Sequence, residues 1–244
     1  MKKYFILLIV AVMVFSLGGC AKKKAEVSEN KELTAPARPD NAVVGGWAAS
    51  SSFEITDSVR AIFDKGAESL LGVDYEPAAY LGTQIVAGTN HCFLAKATVV
   101  APGTKPYYTL VFLYEDLDGN VHVKNVAYLP IIPGEDDPEK SQEEVMGGWE
   151  VAEDFAVTEE ISDLVSDVAG RLLGAKYAPC AYLGKQIVNG TNYCVLCQIT
   201  PITKEPVPHY ALVYIHEDLD GKTELVGTTD IDIGYYSEQG LDQK

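Results

Sequence analysis

Apolar and polar positions along this 244-residue chain fall mostly into strand-like runs, interrupted twice by a stripe at helical spacing. Ile55, Val59, Ile62, Phe63 and Leu70 share one helical face, as do Val157, Ile161, Leu164, Val165, Val168 and Leu172. Thr56 and Thr158 stand where an N-cap belongs, with acidic residues just behind them, and Gly72 and Gly174 suit the C-terminal stop. A short strand precedes each helix and β-rich runs follow it, in the first half at residues 75–86, 89–100, 107–115 and 121–129. Ala87-Gly88 joins the first pair of runs and Asp118-Gly119 the second. Asp-Gly between β-rich runs is a strong hairpin signal, because both residues tolerate positive φ. The order strand, helix, then four strands predicts a helix lying on one face of an antiparallel sheet of four to five strands, an α+β fold.

The pattern is written twice. Gly45-Gly46-Trp47 returns as Gly147-Gly148-Trp149, an offset of 102 residues. At the same offset Tyr80-Leu81-Gly82 returns as Tyr182-Leu183-Gly184, and Glu115-Asp116-Leu117-Asp118-Gly119 as Glu217-Asp218-Leu219-Asp220-Gly221. Residues 45–126 align with 147–228 without a gap, with 33 identities in 82 positions. A single offset held through helix, strands and turns marks a duplicated domain rather than a short-period solenoid. The intervening stretch, residues 134–146, is acidic and polar, as a linker should be.

The amino terminus reads differently. Two lysines precede an apolar run from Tyr4 to Phe15, followed by Leu17-Gly18-Gly19-Cys20. The run is too short to span a bilayer comfortably and reads as an export signal. Leu17 to Cys20 resembles the bacterial lipobox, whose cysteine is lipidated and becomes the first mature residue. The organisation expected is therefore a signal peptide over 1–19, a lipidated tether over 20–44, domain 1 over 45–133, a linker over 134–146, domain 2 over 147–236 and a tail over 237–244. The resemblance implies export to the bacterial cell envelope and attachment to a membrane surface through lipid on Cys20. Of five cysteines, that one is then accounted for and four remain in the folded part.

Acidic residues outnumber basic ones 35 to 19, a formal net charge of −16. Binding to nucleic acid is driven by Lys and Arg releasing counterions from phosphate, so nucleic acid is not an expected partner.

The hairpin residues carry a family resemblance. Gln84-Ile85-Val86-Ala87-Gly88 and Gln186-Ile187-Val188-Asn189-Gly190 both match the Gln-x-Val-x-Gly pentapeptide of cystatins, reversible inhibitors of papain-like cysteine proteases. Residues 83–90 look especially like the stefin branch. Gly45-Gly46 and Gly147-Gly148, each preceded by two apolar residues, resemble the N-terminal glycine trunk of that family. The resemblance implies two tandem cystatin-like domains and a protease-binding wedge in each. In the first, the wedge comprises Gly45, Gly46, residues 84–88 and Leu117. In the second it comprises Gly147, Gly148, residues 186–190 and Leu219. It implies occlusion of a cleft without catalysis or cofactor. Many cystatins carry Pro-Trp in the second hairpin; here Asp-Leu-Asp-Gly stands there in both repeats. The rival reading is a surface binding or adhesion lipoprotein that uses the fold as a scaffold without inhibiting anything.

Candidate chemistry elsewhere is thin. No histidine recurs at the repeat offset, since His91 aligns with Tyr193 and His216 with Tyr114, and an enzyme is not expected. Cys92 and Cys194 occupy equivalent strand positions and read as buried thiols. Cys194 and Cys197 lie three apart on a strand, hence on opposite faces, which suits neither zinc nor a redox pair. Pairing of Cys180 with Cys194 or Cys197 is left open by the sequence. Asp116-x-Asp118-x-Asn120 imitates the start of a calcium loop, but the twelfth position is Ala127, so a solvated turn is expected.

Overall fold

The computed structural model describes residues 45–132 and 148–239. The segments expected to be the signal peptide, the lipidated tether with Cys20 and the linker, together with Gly147 and residues 240–244 of the expected tail, lie outside the described residues.

In chain order the elements are β1 (Trp47–Ala49), α1 (Asp57–Ala67), β2 (Val73–Val86), β3 (Gly88–Val99), β4 (Tyr107–Glu115), β5 (Val121–Leu129), β6 (Trp149–Val151), α2 (Glu159–Ala169), β7 (Ala175–Val188), β8 (Gly190–Pro201), β9 (His209–Glu217), β10 (Thr223–Ile231) and α3 (Ile233–Glu238). The strands form two five-stranded antiparallel sheets, ordered β1-β2-β3-β4-β5 and β10-β9-β8-β7-β6. Each sheet is a run of neighbouring hairpins, closed at one edge by the three-residue strand that precedes its helix.

This overturns the expected α+β fold of two cystatin-like, helix-on-sheet domains. The described residues are mostly β, two sheet-dominated units with three short helices. The physical reason lies in the strand faces. On β3, Cys92 and Leu94 enter one core while Phe93 and Ala95 enter another. On β4, Tyr108, Leu110 and Phe112 alternate with Val111 and Leu113 in the same way. β8 and β9 repeat the pattern, with Cys194, Leu196, Tyr210, Leu212 and Tyr214 on one side and Val195, Cys197, Val213 and Ile215 on the other. Both faces of each central sheet are buried, and a single eleven-residue helix covers only one of them.

The other face is covered by the second sheet. One continuous cluster draws Leu81, Leu94, Leu110 and Phe112 from the first repeat together with Leu183, Leu196, Leu212 and Tyr214 from the second. The two repeats thus pack as a sandwich with a shared core, and the described residues fall within one compact unit. Polar contacts stitch the seam. The buried Tyr210 hydroxyl donates to the Leu81 carbonyl (2.6 Å), and Gln198 Nε2 donates to the Ser50 carbonyl (2.9 Å). Lys96 Nζ donates to the Glu153 carbonyl (2.7 Å), pairs with Glu76 (3.0 Å) and lies 5.4 Å from the centre of the Phe155 ring.

The helices form locally as their sequences require. Thr56 and Thr158 cap α1 and α2, each hydroxyl accepting from the amide three residues on at 3.4 Å. Their apolar stripes, Val59, Ile62 and Phe63 in α1 and Ile161, Leu164, Val165 and Val168 in α2, face the outer side of their own sheets. Both helices stop earlier than the apolar spacing suggests. The chain tightens at Leu70 and Leu172, whose amides bond the carbonyls of Ala67 and Ala169 instead of continuing the α ladder.

A shared core makes the two repeats one cooperative unit. Leu212 is fully buried in the seam, so Leu212→Ala should lower stability by about 2–5 kcal/mol. Each repeat carries one tryptophan, so the variants Trp47→Phe and Trp149→Phe leave a fluorescent reporter in only one half. Urea unfolding should give the same midpoint from both reporters, and Leu212→Ala should shift both together. Separate midpoints, with only the second repeat responding, would contradict the shared core.

Candidate functional site

The first candidate tip is built where β2 turns into β3. Val86 pairs with Gly88, leaving only Ala87 between the strands. Gly88 has φ of +130°, and a Cβ there would sit 2.4 Å from the Glu115 carbonyl oxygen and 2.8 Å from the Tyr114 ring. Glycine is demanded twice over, by backbone conformation and by the close approach of β4. The Tyr114 hydroxyl donates to the Ala87 carbonyl and pins the apex from behind.

Gln84 joins the tip to the trunk. Its Nε2 donates to the Gly45 carbonyl (2.9 Å), and its Oε1 accepts from Asn90 Nδ2 (2.6 Å), a buried amide on the facing strand. The Gly45 amide in turn donates to the Ile85 carbonyl (3.3 Å), extending the β1–β2 ladder in which Trp47 faces Gln84. The Gln84 side chain is therefore held within the protein as a staple. What the tip presents outward is Val86, 43% exposed, and Ala87, with Gly45 beside them.

The β4–β5 hairpin stands next to it, because β3 pairs with both β2 and β4 and sets Thr89 opposite Glu115. Its acidic residues have a local cause. Asp116 Oδ1 accepts from the amides of Asp118 and Asn120, both at 2.9 Å, and Oδ2 accepts from Asn120 Nδ2 at 2.8 Å. These bonds, the Asn120 side chain first, hold the Asp116 carboxyl below its ordinary pKa. Asp116 thus shapes the turn, and Leu117 projects from its apex, 85% exposed.

The second repeat follows the same plan with different chemistry. Gly190 (φ +110°) approaches the Glu217 carbonyl as Gly88 approaches Glu115, and Asn192 Nδ2 donates to Gln186 Oε1 (2.8 Å). His216 Nδ1 bonds Asn192 Oδ1 (2.8 Å), and Asp218 accepts from the amides of Asp220 and Lys222. Ile187, Val188, Asn189 and Leu219 are exposed, and Gly148, just before β6, is half-buried. Residues 83–91 and 114–122 of the first tip hold three acids and no lysine or arginine. In the second tip Lys185 and Lys222 offset part of the acidic charge.

One arrangement beside the first tip has no motif in the sequence. His91 is only 2% exposed, with Nδ1 bonded to the Tyr80 hydroxyl (2.8 Å) and Nε2 to Glu115 Oε2 (3.2 Å). A neutral imidazole protonated on Nε2 satisfies all three groups, donating to the carboxylate and accepting from the phenol. Burial lowers the His91 pKa from 6.5, outweighing the pull of Glu115 in the opposite direction. In the second repeat Tyr193 takes its place and donates to Glu217 Oε2 (3.0 Å). The signal available beforehand was the pair repeated around it, Tyr80 and Glu115 recurring as Tyr182 and Glu217, rather than the histidine.

The cysteines carry no chemistry of this kind. Cys92, Cys180, Cys194 and Cys197 are all free and buried, and burial raises each thiol pKa, that of Cys197 to about 12. Cys194 faces the seam and Cys197 the α2 side, as their spacing requires. Among the described residues no cluster of His, Cys, Asp and Glu is arranged to hold a metal ion.

Two outcomes follow from this geometry. Gly88→Ala should destabilise the fold by roughly 1–3 kcal/mol, since the strain falls on backbone rather than on a flexible side chain. The lowered His91 pKa makes its contribution to stability fully present above pH 6.5 and lost as pH falls through 6.5 toward the folded value. His91→Tyr, which copies Tyr193, should flatten that part of the urea-midpoint profile; a profile unchanged by the substitution would refute the assignment.

No family model and no curated protein matches the chain, so its function has to be read from the tips themselves.

Proposed function

We propose that the chain is an exported, surface-anchored protein that reversibly inhibits papain-like cysteine proteases by wedging its hairpin tips into their clefts. The observation that carries this reading is the grouping of Gly45, the 84–88 hairpin and Leu117 at one end of one sheet. Two of the three parts are hydrogen-bonded to each other, and the third stands on the adjoining strand pair. The apex is apolar, narrow and braced by Tyr114 and Gln84, which keeps the ordering cost of docking low. Val86 would enter an apolar cleft as the leading side chain, and backbone groups on either side would meet the cleft walls. Nothing in the wedge attacks a bond; the target's cysteine is covered and never acylated.

A second reading, a surface binding module without inhibition, is favoured by the Gln84 amide. It is bonded to Gly45 and Asn90 instead of standing free for a cleft.

The mature chain titrated against papain should inhibit it at micromolar concentration or below. Val86→Asp and Val188→Asp together should weaken inhibition at least tenfold, because a carboxylate would have to be desolvated in an apolar cleft. Absence of inhibition at micromolar protein would sink the proposal, and a partner captured by the doubly substituted chain would favour the second reading. Attachment has its own readout: Cys20→Ala should move the protein from the membrane fraction to the soluble fraction.

A further inference from the structure

The seam contacts fix the direction in which each tip points. β9 runs toward the second tip, ending at Glu217, and Tyr210 lies near its far end. Tyr210 bonds the Leu81 carbonyl, midway along β2, which runs toward the first tip at Val86. Nearer the first tip, Trp47 faces Gln84 and lies 3.8 Å from where a Cβ on Gly234 would be, and Asn125 donates to the Tyr236 carbonyl (2.8 Å). Gly234 and Tyr236 belong to α3, which follows the far end of β10. The converse holds on the other side. Ile131, beyond the far end of β5, comes within 3.4 Å of a Cβ built on Gly184, near the tip end of β7. Moving toward one tip is moving away from the other.

From these contacts we infer that the two tips are docking sites at opposite ends of one body and engage two protease molecules at the same time. The inference rests on the inhibitory reading of the tips and adds the stoichiometry and geometry of the complex. Five residues separate Leu81 from Val86 and seven separate Tyr210 from Glu217, so at about 3.3 Å per residue the tips stand roughly 40 Å apart. A standard interface of about 800 Å² per partner is a patch roughly 30 Å across. Two partners approaching from opposite ends therefore do not compete for space. The seam is also closed by buried apolar side chains, so the body has no hinge at its centre that could fold one tip onto the other.

Papain with its active-site cysteine capped as a methyl disulfide, which prevents digestion, is the probe. Light scattering on the size-separated complex with excess papain should give two papain molecules per mature chain. Val86→Asp and Val188→Asp, made separately, should each reduce this to one, and their urea midpoints should stay at the parent value. One papain per chain at saturation, unchanged by either single substitution, would overturn the two-ended arrangement while leaving inhibition intact. Absence of any complex would overturn the inhibitory reading and this inference with it.

Discussion

The structure depends on the burial of both faces of two antiparallel sheets. A sheet with one helix on it leaves its second face in water, and that face must then be polar on alternate residues. Here Leu94, Leu110 and Phe112 occupy those alternate positions in the first repeat and Leu196, Leu212 and Tyr214 in the second. Neither sheet can exist alone in water at that cost, since each buried Leu or Phe side chain is worth about 1.5–3 kcal/mol. The duplication supplies the cover: the same excess of apolar surface is present twice, and each copy buries the other's. The Tyr210, Gln198 and Lys96 bonds then select one alignment among those the apolar surfaces alone would allow.

The tips are a consequence of the same rigidity. Each apex is one residue long, and its glycine is locked against the carbonyl of the neighbouring strand end. Behind the first apex, Gln84, Asn90 and Gly45 form a continuous set of hydrogen bonds, and Tyr80, His91 and Glu115 form another. Polar side chains so near an exposed tip look like contact residues from sequence alone. In the fold they act as internal braces, and the side chains left exposed are those of Val86, Ala87 and Leu117. The second tip keeps the backbone plan and changes the braces, with Tyr193 in place of the histidine and His216 bonded to Asn192.

Much of this was legible beforehand, for identifiable reasons. The capping threonines, the hairpins at Gly88 and at Asp118-Gly119, and the opposite faces of Cys194 and Cys197 depend on local rules that hold whatever the surroundings. The fold class was not legible. Alternation of Cys92, Phe93, Leu94 and Ala95 reads as a continuous apolar run, and nothing local says whether the second face meets a helix, a sheet or a partner. The extent of the helices is not legible either, because Leu70 and Leu172 continue the apolar spacing after the hydrogen-bond ladder has ended. The pentapeptide resemblance implies a contact role for Gln84, and its two internal partners, Gly45 and Asn90, come together only in the folded ladder, where no local rule shows them.

Duplication also explains why the two tips are free to diverge. The seam constrains the inward-facing residues jointly, so a change at Leu81 or Leu212 is felt by both repeats. Residues at the tips face neither the seam nor each other, and a change there alters one end only. Both tips keep residues 84–86, 88–90 and 115–119 unchanged in the second repeat, and the differences there are few and local: Ala87 against Asn189, Thr83 against Lys185 and Asn120 against Lys222, while Leu94, Leu110 and Cys92 in the seam are identical to Leu196, Leu212 and Cys194. An acidic first end and a second end with two lysines are what a conserved scaffold with two independent ends permits. The shared core is therefore both the source of stability and the reason that the ends can carry different surfaces.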